Sequence, residues 1–192
     1  MSSTSIQCVV GLGNPGSDYA DHRHNMGFWL LDRLAQQHGV TFRTEKKFHG
    51  AIARLPNTVG ECWLLKPDTF MNQSGRAVGA LAQFYKIAPS NILVVHDELD
   101  LPPGRVRLKQ QGGHGGHNGL RDIIQVLGSK IFHRLRIGVG HPGHKDAVLK
   151  YVLSAPRKAE TVLLDDALDE VIQQWSLIQA ADWQAAMRVL HR

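Results

Sequence analysis

The chain is poor in the features that mark secreted, membrane-spanning or disulfide-bonded proteins. Its 192 residues contain only two cysteines, Cys8 and Cys62, and each lies in an apolar run. We therefore expect two buried free thiols rather than a disulfide framework or a zinc site. No apolar run reaches the roughly 18 residues of a membrane span, and residues 1–5 lack the basic and apolar regions of a secretory signal. These absences favour a cytoplasmic protein without a membrane partner.

Aromatic residues and acidic charge are also in short supply. Aromatic side chains make up 7 % of the chain, and it lacks the aromatic-rich segments with which the common sheet-based RNA readers stack bases. The net charge is +5, but residues 1–150 hold 18 basic and 11 acidic side chains, whereas residues 151–192 hold 4 and 6. A basic body of this kind indicates a polyanionic partner. An ordinary soluble protein with surface lysines explains the same excess equally well.

Two kinds of apolar pattern alternate along the chain, and neither a repeat nor a long linker interrupts them. Continuous or alternating runs predict strands at 6–10, 51–55, 62–65, 91–96, 105–109 and 135–139. Helical spacing predicts helices at 26–38, 74–85, 120–127, 159–178 and 183–190. This order predicts a single α/β domain over residues 1–192. We expect a twisted, mixed but mostly parallel sheet, flanked by helices on both faces, with a hairpin turning at Pro56-Asn57.

The segment after the first predicted strand, Gly-Leu-Gly-Asn-Pro-Gly at 11–16, matches the GxGxxG pattern of dinucleotide-binding proteins. That pattern binds a pyrophosphate only where a helix opens on the glycines. Here the first helical pattern begins near Met26, and Pro15 has no backbone donor to offer. We therefore interpret the segment as a tight loop rather than a nucleotide site.

Two close histidine pairs, His22 with His24 and His114 with His117, have the density of a metal site. However, no carboxylate or thiolate stands at ligand spacing beside them, and no HExxH motif occurs. Metal binding is therefore the weaker interpretation of these histidines.

A second glycine-rich segment, at 112–119, precedes the predicted 120–127 helix. A glycine-rich turn that feeds a helix N-terminus exposes backbone N–H groups and forms a natural anion site. A flexible connector with Asn118 as the helix N-cap fits the same residues, and the sequence does not separate the two.

Six segments taken together resemble one family. Besides the segments 11–16 and 113–119, they are Arg-His-Asn at 23–25, Thr-Phe-Met-Asn-Gln-Ser-Gly at 69–75, His-Asp-Glu-Leu-Asp-Leu-Pro-Pro-Gly at 96–104 and Phe-His-Arg-Leu-Arg-Ile-Gly at 132–138. Their order and spacing are similar to those of the bacterial-type peptidyl-tRNA hydrolases. The family usually has Thr two positions before its catalytic histidine, where this chain has His22. An imidazole there either perturbs the titration of His24 or faces solvent.

The resemblance implies a metal-independent esterase that hydrolyses the bond between a peptide and the 3′-terminal ribose of tRNA. It implies His24 as the general base on water and Asp97 as the group that orients it. The substrate-binding residues that it implies are Asn14, Tyr19, Met71, Asn72, His117 and Asn118. It also implies that Lys109, Arg136 and Lys145 bind tRNA phosphates near the acceptor stem and CCA end. A monomer that needs neither a cofactor nor a protein partner completes the expectation.

Other readings of these residues stay open. Without the resemblance, Asp97 caps a loop and Asn72 caps the 74–85 helix. The basic body alone also fits a non-catalytic RNA-binding protein, the 11–16 glycines a nucleotide-dependent enzyme, and the histidines a metal-dependent hydrolase.

Overall fold

The computed structural model describes residues 5–56 and 60–192, and the strands within this part form one sheet. Residues 1–4 and Asn57, which belongs to the predicted hairpin turn, lie outside it. The strands are β1 (Cys8–Gly11), β2 (Arg43–Glu45), β3 (Gly50–Leu55), β4 (Cys62–Pro67), β5 (Ile92–Glu98), β6 (Val106–Gln110) and β7 (His133–Gly138). Their order across the sheet is β2-β3-β4-β1-β5-β7-β6.

The centre of the sheet is parallel and its two edges are antiparallel. β1 lies between β4 and β5 and is parallel to both, and β5 pairs in parallel with β7. At one edge β3 pairs antiparallel with both β4 and β2, and at the other β6 pairs antiparallel with β7. The predicted mixed, mostly parallel sheet is therefore confirmed. The hairpin pairing of the 51–55 and 62–65 segments is confirmed as well.

Helices cover both faces of this sheet, as predicted. They are α1 (Met26–Gln37), α2 (Ser74–Tyr85), α3 (Asn118–Leu127), α4 (Val148–Val152), α5 (Lys158–Gln173), α6 (Trp175–Gln179) and α7 (Trp183–Leu190). Residues such as Leu30 of α1 and Leu168 of α5 fill the core on one face. Val78 of α2 lies in the core on the other. Successive side chains of a strand point to opposite faces, so Val9 of β1 belongs to the first core and Val10 to the second.

Three elements differ from the sequence prediction. The apolar pattern predicts neither β2 nor α4, because these elements of three and five residues are too short to show a period. The single helix predicted at 159–178 is two helices, α5 and α6, which meet at Gln174 with φ −97° and ψ 8°. Its buried face continues from Val171 through Trp175 and Ile178, so the hydrophobic period carries no sign of the bend.

Two glycines bring α1 close to the carboxyl ends of β1 and β5. A Cβ atom at Gly27 would lie 2.2 Å from the backbone N of Leu12 and 2.5 Å from the backbone O of Val95, and one at Gly11 would lie 2.5 Å from the backbone O of Gly27. This contact places the 3-10 turn Arg23–Asn25, which leads into α1, beside β5. Open α/β sheets commonly hold their sites at this edge.

The two cysteines are buried and free, as predicted. Burial raises the pKa of Cys62 to about 12, so this thiol stays protonated and is a poor nucleophile. None of the helices in residues 5–56 and 60–192 combines the length and the apolarity that a bilayer crossing requires.

We predict that Gly27→Ala destabilises the protein by about 2 kcal/mol or more, because the new methyl group meets backbone atoms that cannot move aside. Urea unfolding measures this free energy. Gly79→Ala is the matched control, because it is also a helical glycine but its Cβ would meet only a methyl group of Val126, at 2.7 Å. Equal losses of stability in the two variants would contradict the close packing of α1.

Candidate active site

The buried carboxylate of Asp97 holds two imidazoles at the end of β5. Nδ1 of His24 lies 3.0 and 2.9 Å from the two carboxylate oxygens, and Nε2 of His117 lies 2.9 Å from Oδ1. Asp97 is 3 % exposed and His24 9 % exposed. Residues separated by 73 and 20 positions in the sequence are thus joined in one hydrogen-bonded group. The predicted pairing of His24 with Asp97 has the expected geometry.

The hydrogen bonds of each ring define its tautomer. Nδ1 of His117 accepts from the backbone N–H of Gly119 at 3.1 Å and that of Leu120 at 3.4 Å, so the ring proton is on Nε2 and is donated to Asp97. His24 donates its Nδ1–H to the same carboxylate. Its Nε2 therefore keeps a lone pair, and no residue of the described ranges donates to it. Of the two rings, only His24 has a nitrogen free to accept a proton.

The electrostatics favour protonation of His24 during a reaction. Burial by itself lowers the pKa of His24, but the charge of Asp97 and its hydrogen bond outweigh burial and raise the pKa above its usual value. Burial raises the pKa of Asp97, and the two imidazoles reverse this and hold it well below its usual range. The carboxylate is therefore ionised at neutral pH and stabilises the imidazolium of His24.

A third histidine, His96, lies against this group but has a different role. Its Nδ1 donates to its neighbour's backbone carbonyl, Asp97 O, at 2.7 Å, and its ring meets that of His117 edge to face at 5.1 Å. Burial, followed by the nearby His117, lowers the pKa of His96 to about 3. This ring stays neutral at physiological pH and is a packing neighbour of the site.

Asn14 is fixed beside the His24 turn by a pair of amide contacts. Asn25 donates from Nδ2 to the backbone O of Asn14 at 2.9 Å and accepts from the backbone N of Asn14 at 2.9 Å. The side-chain Oδ1 of Asn14 accepts from the backbone N of Met71 at 2.7 Å. The Nδ2 group of Asn14 is left as a donor without a partner among the described residues. Sequence reasoning missed Asn25, because its role exists only through this long-range pairing.

Tyr19 belongs to a small aromatic cluster. Its ring meets those of Phe70 at 5.8 Å and His22 at 5.5 Å, both edge to face. Phe70 is 56 % exposed. It precedes Met71 in the 69–75 motif, and sequence reasoning did not single it out. His22 packs on Tyr19, and the pKa of His24 is governed by burial and Asp97.

The alternative readings in which Asn118 and Asn72 cap helices are wrong. The N-cap of α3 is His117, whose ring accepts the two backbone N–H groups, and Asn118 is the first residue of the helix. The N-cap of α2 is Gln73, while Asn72 lies one residue earlier in the 3-10 turn Met71–Gln73. Asn72 and Asn118 are both exposed. Their amides are therefore not used in capping and are available to a ligand.

The glycine-rich segment before α3 is pinned, and a flexible connector does not describe it. Arg134, which is 2 % exposed, donates from its two terminal nitrogens to the carbonyl oxygens of Gly112 and Gly113. Gly115 and Gly116 both have positive φ, at 57° and 85°, a conformation that glycine adopts without strain. These contacts hold the segment so that His117 reaches Asp97.

A cavity of about 540 Å³ opens beside the imidazoles and is lined by His24, Asp97, His117 and Asn118. The three predicted phosphate-binding residues, Lys109, Arg136 and Lys145, also line it. Lys109 and Lys145 are exposed, whereas Arg136 donates to Glu98 at 3.4 Å. Asn14, Tyr19, Met71 and Asn72 do not line this cavity. Asn14 is bonded instead to Asn25, the residue after His24. Met71 packs on α3 at Gly119.

His24, Asp97 and His117 also bring one possible metal-ligand atom each to within 4.8 Å of one another. No carboxylate lies at ligand spacing beside these histidines in the sequence. In the fold, Asp97 of β5 supplies one from a distant position. However, the same nitrogen and oxygen atoms already form direct hydrogen bonds of 2.9–3.0 Å. An ion would have to displace two ring protons, so the arrangement favours proton transfer over metal binding.

An imidazole with one free nitrogen, held by a buried carboxylate at the carboxyl edge of an α/β sheet, is an arrangement typical of enzymes that activate water with a general base. Comparison with known proteins is more specific. A family model described as peptidyl-tRNA hydrolase matches residues 8–192. The peptidyl-tRNA hydrolase of Nitrosospira multiformis is 56 % identical over 186 residues, which cover 97 % of each chain. That of Neisseria meningitidis is 53 % identical over 189 residues, which cover 98 % of each chain.

The fold agrees with this match. A crystal structure of peptidyl-tRNA hydrolase from Acinetobacter baumannii has a TM-score of 0.95 and 46 % sequence identity, and covers 99 % of this chain and 96 % of that chain. The chain therefore belongs to the bacterial-type peptidyl-tRNA hydrolase family, as its motifs imply.

We predict that Asp97→Asn lowers the pKa of His24 below its usual value of 6.5, because burial then acts without a compensating charge. NMR titration of the imidazole resonances measures this pKa. Asp100→Asn is the control, since Asp100 lines the same cavity but does not bond to His24. A His24 pKa that does not change in Asp97→Asn would contradict the assigned role of the carboxylate.

Proposed function

We propose that this chain hydrolyses the ester bond between a peptide and the 3′-terminal ribose of tRNA, releasing both for further use in translation. Membership of the family supports the reaction. The observation that carries the assignment of residues is the hydrogen bond from Nδ1 of His24 to Asp97, which leaves Nε2 free beside the cavity. Residues 1–192 act as one catalytic domain. The protein works as a monomer in the cytoplasm, and its partner is the peptidyl-tRNA itself.

His24 is the general base. Its Nε2 removes a proton from a water molecule, whose oxygen attacks the ester carbonyl carbon. The resulting imidazolium is stabilised by the ionised Asp97, and it returns the proton to the ribose oxygen as the carbon–oxygen bond breaks. Because the ester has a good leaving group, one base and one positioned water are sufficient. His117 fixes Asp97 from its second side.

Three amides and two apolar side chains bind the substrate around this base. The unpartnered Nδ2 of Asn14 and the exposed amides of Asn72 and Asn118 offer donors that do not ionise and do not compete with His24 for protons. Asn72 contacts the attacked carbonyl or the water. Donors at such a position stabilise the developing oxyanion and contribute about a hundredfold or more to the rate in other acyl-transfer enzymes. Tyr19 and Met71 form apolar walls for the peptide or the terminal adenine.

The tRNA phosphates are bound by the cations of the cavity wall. Lys109, Arg136 and Lys145 come from three different elements and share this wall, which fits the acceptor stem leading to the CCA end. Contacts to phosphates position the RNA without reading its sequence. An enzyme that accepts nearly every tRNA requires this kind of recognition.

We predict that His24→Ala reduces hydrolysis of an N-blocked aminoacyl-tRNA by about a hundredfold or more, because the water loses its base. Single-turnover release of the blocked amino acid measures the rate, and circular dichroism verifies that the variant is folded. The control is His38→Ala, at a histidine that bonds only to the backbone of its own helix. A folded His24→Ala enzyme with near-normal turnover would refute the mechanism.

Three further measurements separate the other candidate functions. Retention of tRNA by the wild type without ester cleavage would identify an RNA-binding protein. Loss of activity after exhaustive chelation, restored by a divalent ion, would identify a metal-dependent hydrolase built on His24, Asp97 and His117. The 11–16 loop is followed by a 3-10 turn, Ser17–Tyr19, and α1 begins only at Met26. We therefore infer that the 11–16 loop is not a nucleotide-binding site. Stabilisation of the protein by NAD or ATP in a thermal-shift measurement would contradict this inference.

We predict that Lys109→Ala lowers the salt dependence of tRNA binding, measured as the slope of log Kd against log salt concentration, by about 1. Lys145→Ala should act similarly, because each lysine is exposed and neutralises a phosphate. Lys130→Ala is the control, since this lysine is also exposed but does not line the cavity. An equal change in the slope for all three variants would contradict a phosphate-binding wall.

A further inference from the structure

Next to His24 lies a buried ion pair that plays no part in the reaction described above. Arg23 and Glu160 are 5 % and 6 % exposed, and Nη2 of the arginine donates to the two carboxylate oxygens at 3.2 and 3.1 Å. They are 137 positions apart in the sequence. The pair therefore joins the turn that carries the catalytic histidine to the first turn of α5.

The other end of the guanidinium binds the C-terminal end of α4 and the residues that follow it. Nη1 of Arg23 donates to the backbone O of Tyr151 at 3.1 Å and to the hydroxyl of Ser154 at 2.7 Å. The backbone N of Arg23 donates to the backbone O of Ser154 at 3.0 Å. The guanidinium carbon lies 4.0 Å from the centre of the Tyr151 ring. Val152, the last residue of α4, lines the cavity.

Glu160 is held equally firmly from its own side. It accepts from the backbone N of Arg157 at 2.7 Å and from Nε of the same residue at 3.0 Å. The hydroxyl of Tyr151 lies 3.4 Å from its second oxygen. Glu160 thus receives hydrogen bonds from Arg157 and Arg23, and Arg23 is the one of the two that belongs to the His24 turn.

Burying two charges is costly, and well-packed apolar side chains of the same size usually stabilise a protein as well or better. What the guanidinium adds is direction, because its planar set of donors fixes several acceptors at defined angles. We propose that Arg23, paired with Glu160, is a positioning residue that holds the His24 turn and the α4 wall of the cavity in fixed register. The inference rests on the proposed function only for its kinetic readout.

The consequence for catalysis follows from adjacency. Arg23 and His24 are neighbours in one 3-10 turn, so a change in the hold on Arg23 rotates the backbone that aims the imidazole at Asp97. A longer distance from Nδ1 of His24 to Asp97 weakens the electrostatic interaction that stabilises the imidazolium, and the pKa of His24 falls. The acid limb of the pH–rate profile then moves to lower pH, and the maximal rate falls.

The test compares Glu160→Gln, which keeps the size of the side chain and removes its charge, with the wild type. We expect kcat to fall about tenfold, and the acid limb and the NMR-determined pKa of His24 both to move to lower pH. Ser154→Ala removes only the hydroxyl that Arg23 contacts and should shift both in the same direction by less. This second variant decides the matter if Glu160→Gln does not fold.

The matched control is Arg33→Gln. Arg33 of α1 also reaches α5, through Asp165 and through Asp169 at 2.9 Å, but its side chain is more exposed and does not touch the His24 turn. It should leave kcat and the pH profile unchanged. If folded Glu160→Gln and Ser154→Ala enzymes keep the wild-type kcat and His24 pKa, Arg23 has only a structural role and the proposal fails. Failure of the proposed function is distinct: the wild type would not cleave the ester, or His24→Ala would.

Discussion

The site depends on one requirement, that the buried carboxylate of Asp97 be satisfied. A charge that is 3 % exposed is tolerated only if it is paired and fully hydrogen-bonded. Here its oxygens accept from two imidazoles. Each of these donors therefore has a fixed position relative to β5. The turn before α1 and the glycine-rich segment before α3 are folded so that His24 and His117 meet this demand.

The two imidazoles respond to the same carboxylate in different ways. Nδ1 of His117 accepts hydrogen bonds from the backbone N–H groups at the start of α3, so the ring proton stays on Nε2. His24 has no such use for its second nitrogen. One carboxylate thus holds one ring whose two nitrogens are both hydrogen-bonded and another whose second nitrogen has no donor among the described residues, and the difference comes from the backbone around each ring rather than from the residue type.

Much of this arrangement was predictable from the sequence, and the failures have a common physical cause. The apolar patterns predict β1, β5 and α2 because burial imposes a period of about 2 or 3.6 residues over many positions. The motifs identify His24 and Asp97 through resemblance. What local pattern cannot reveal is a contact between distant segments. The pair of hydrogen bonds between Asn25 and Asn14 is such a contact. The capping of α3 by His117 rather than Asn118 depends on a second such contact, between His117 and Asp97.

Two groups of residues near His24 differ in charge. Asn14 bonds to Met71 and to Asn25, which follows His24 in the same turn, and none of these three side chains is ionisable. The cavity that His24 lines has Lys109 and Lys145 in its wall. The proposed substrate, a peptide joined to a polyanion through one ester, has a similar contrast of charge. Under that proposal the bond to be broken lies at the cavity beside Nε2 of His24, the ring nitrogen that does not bind Asp97.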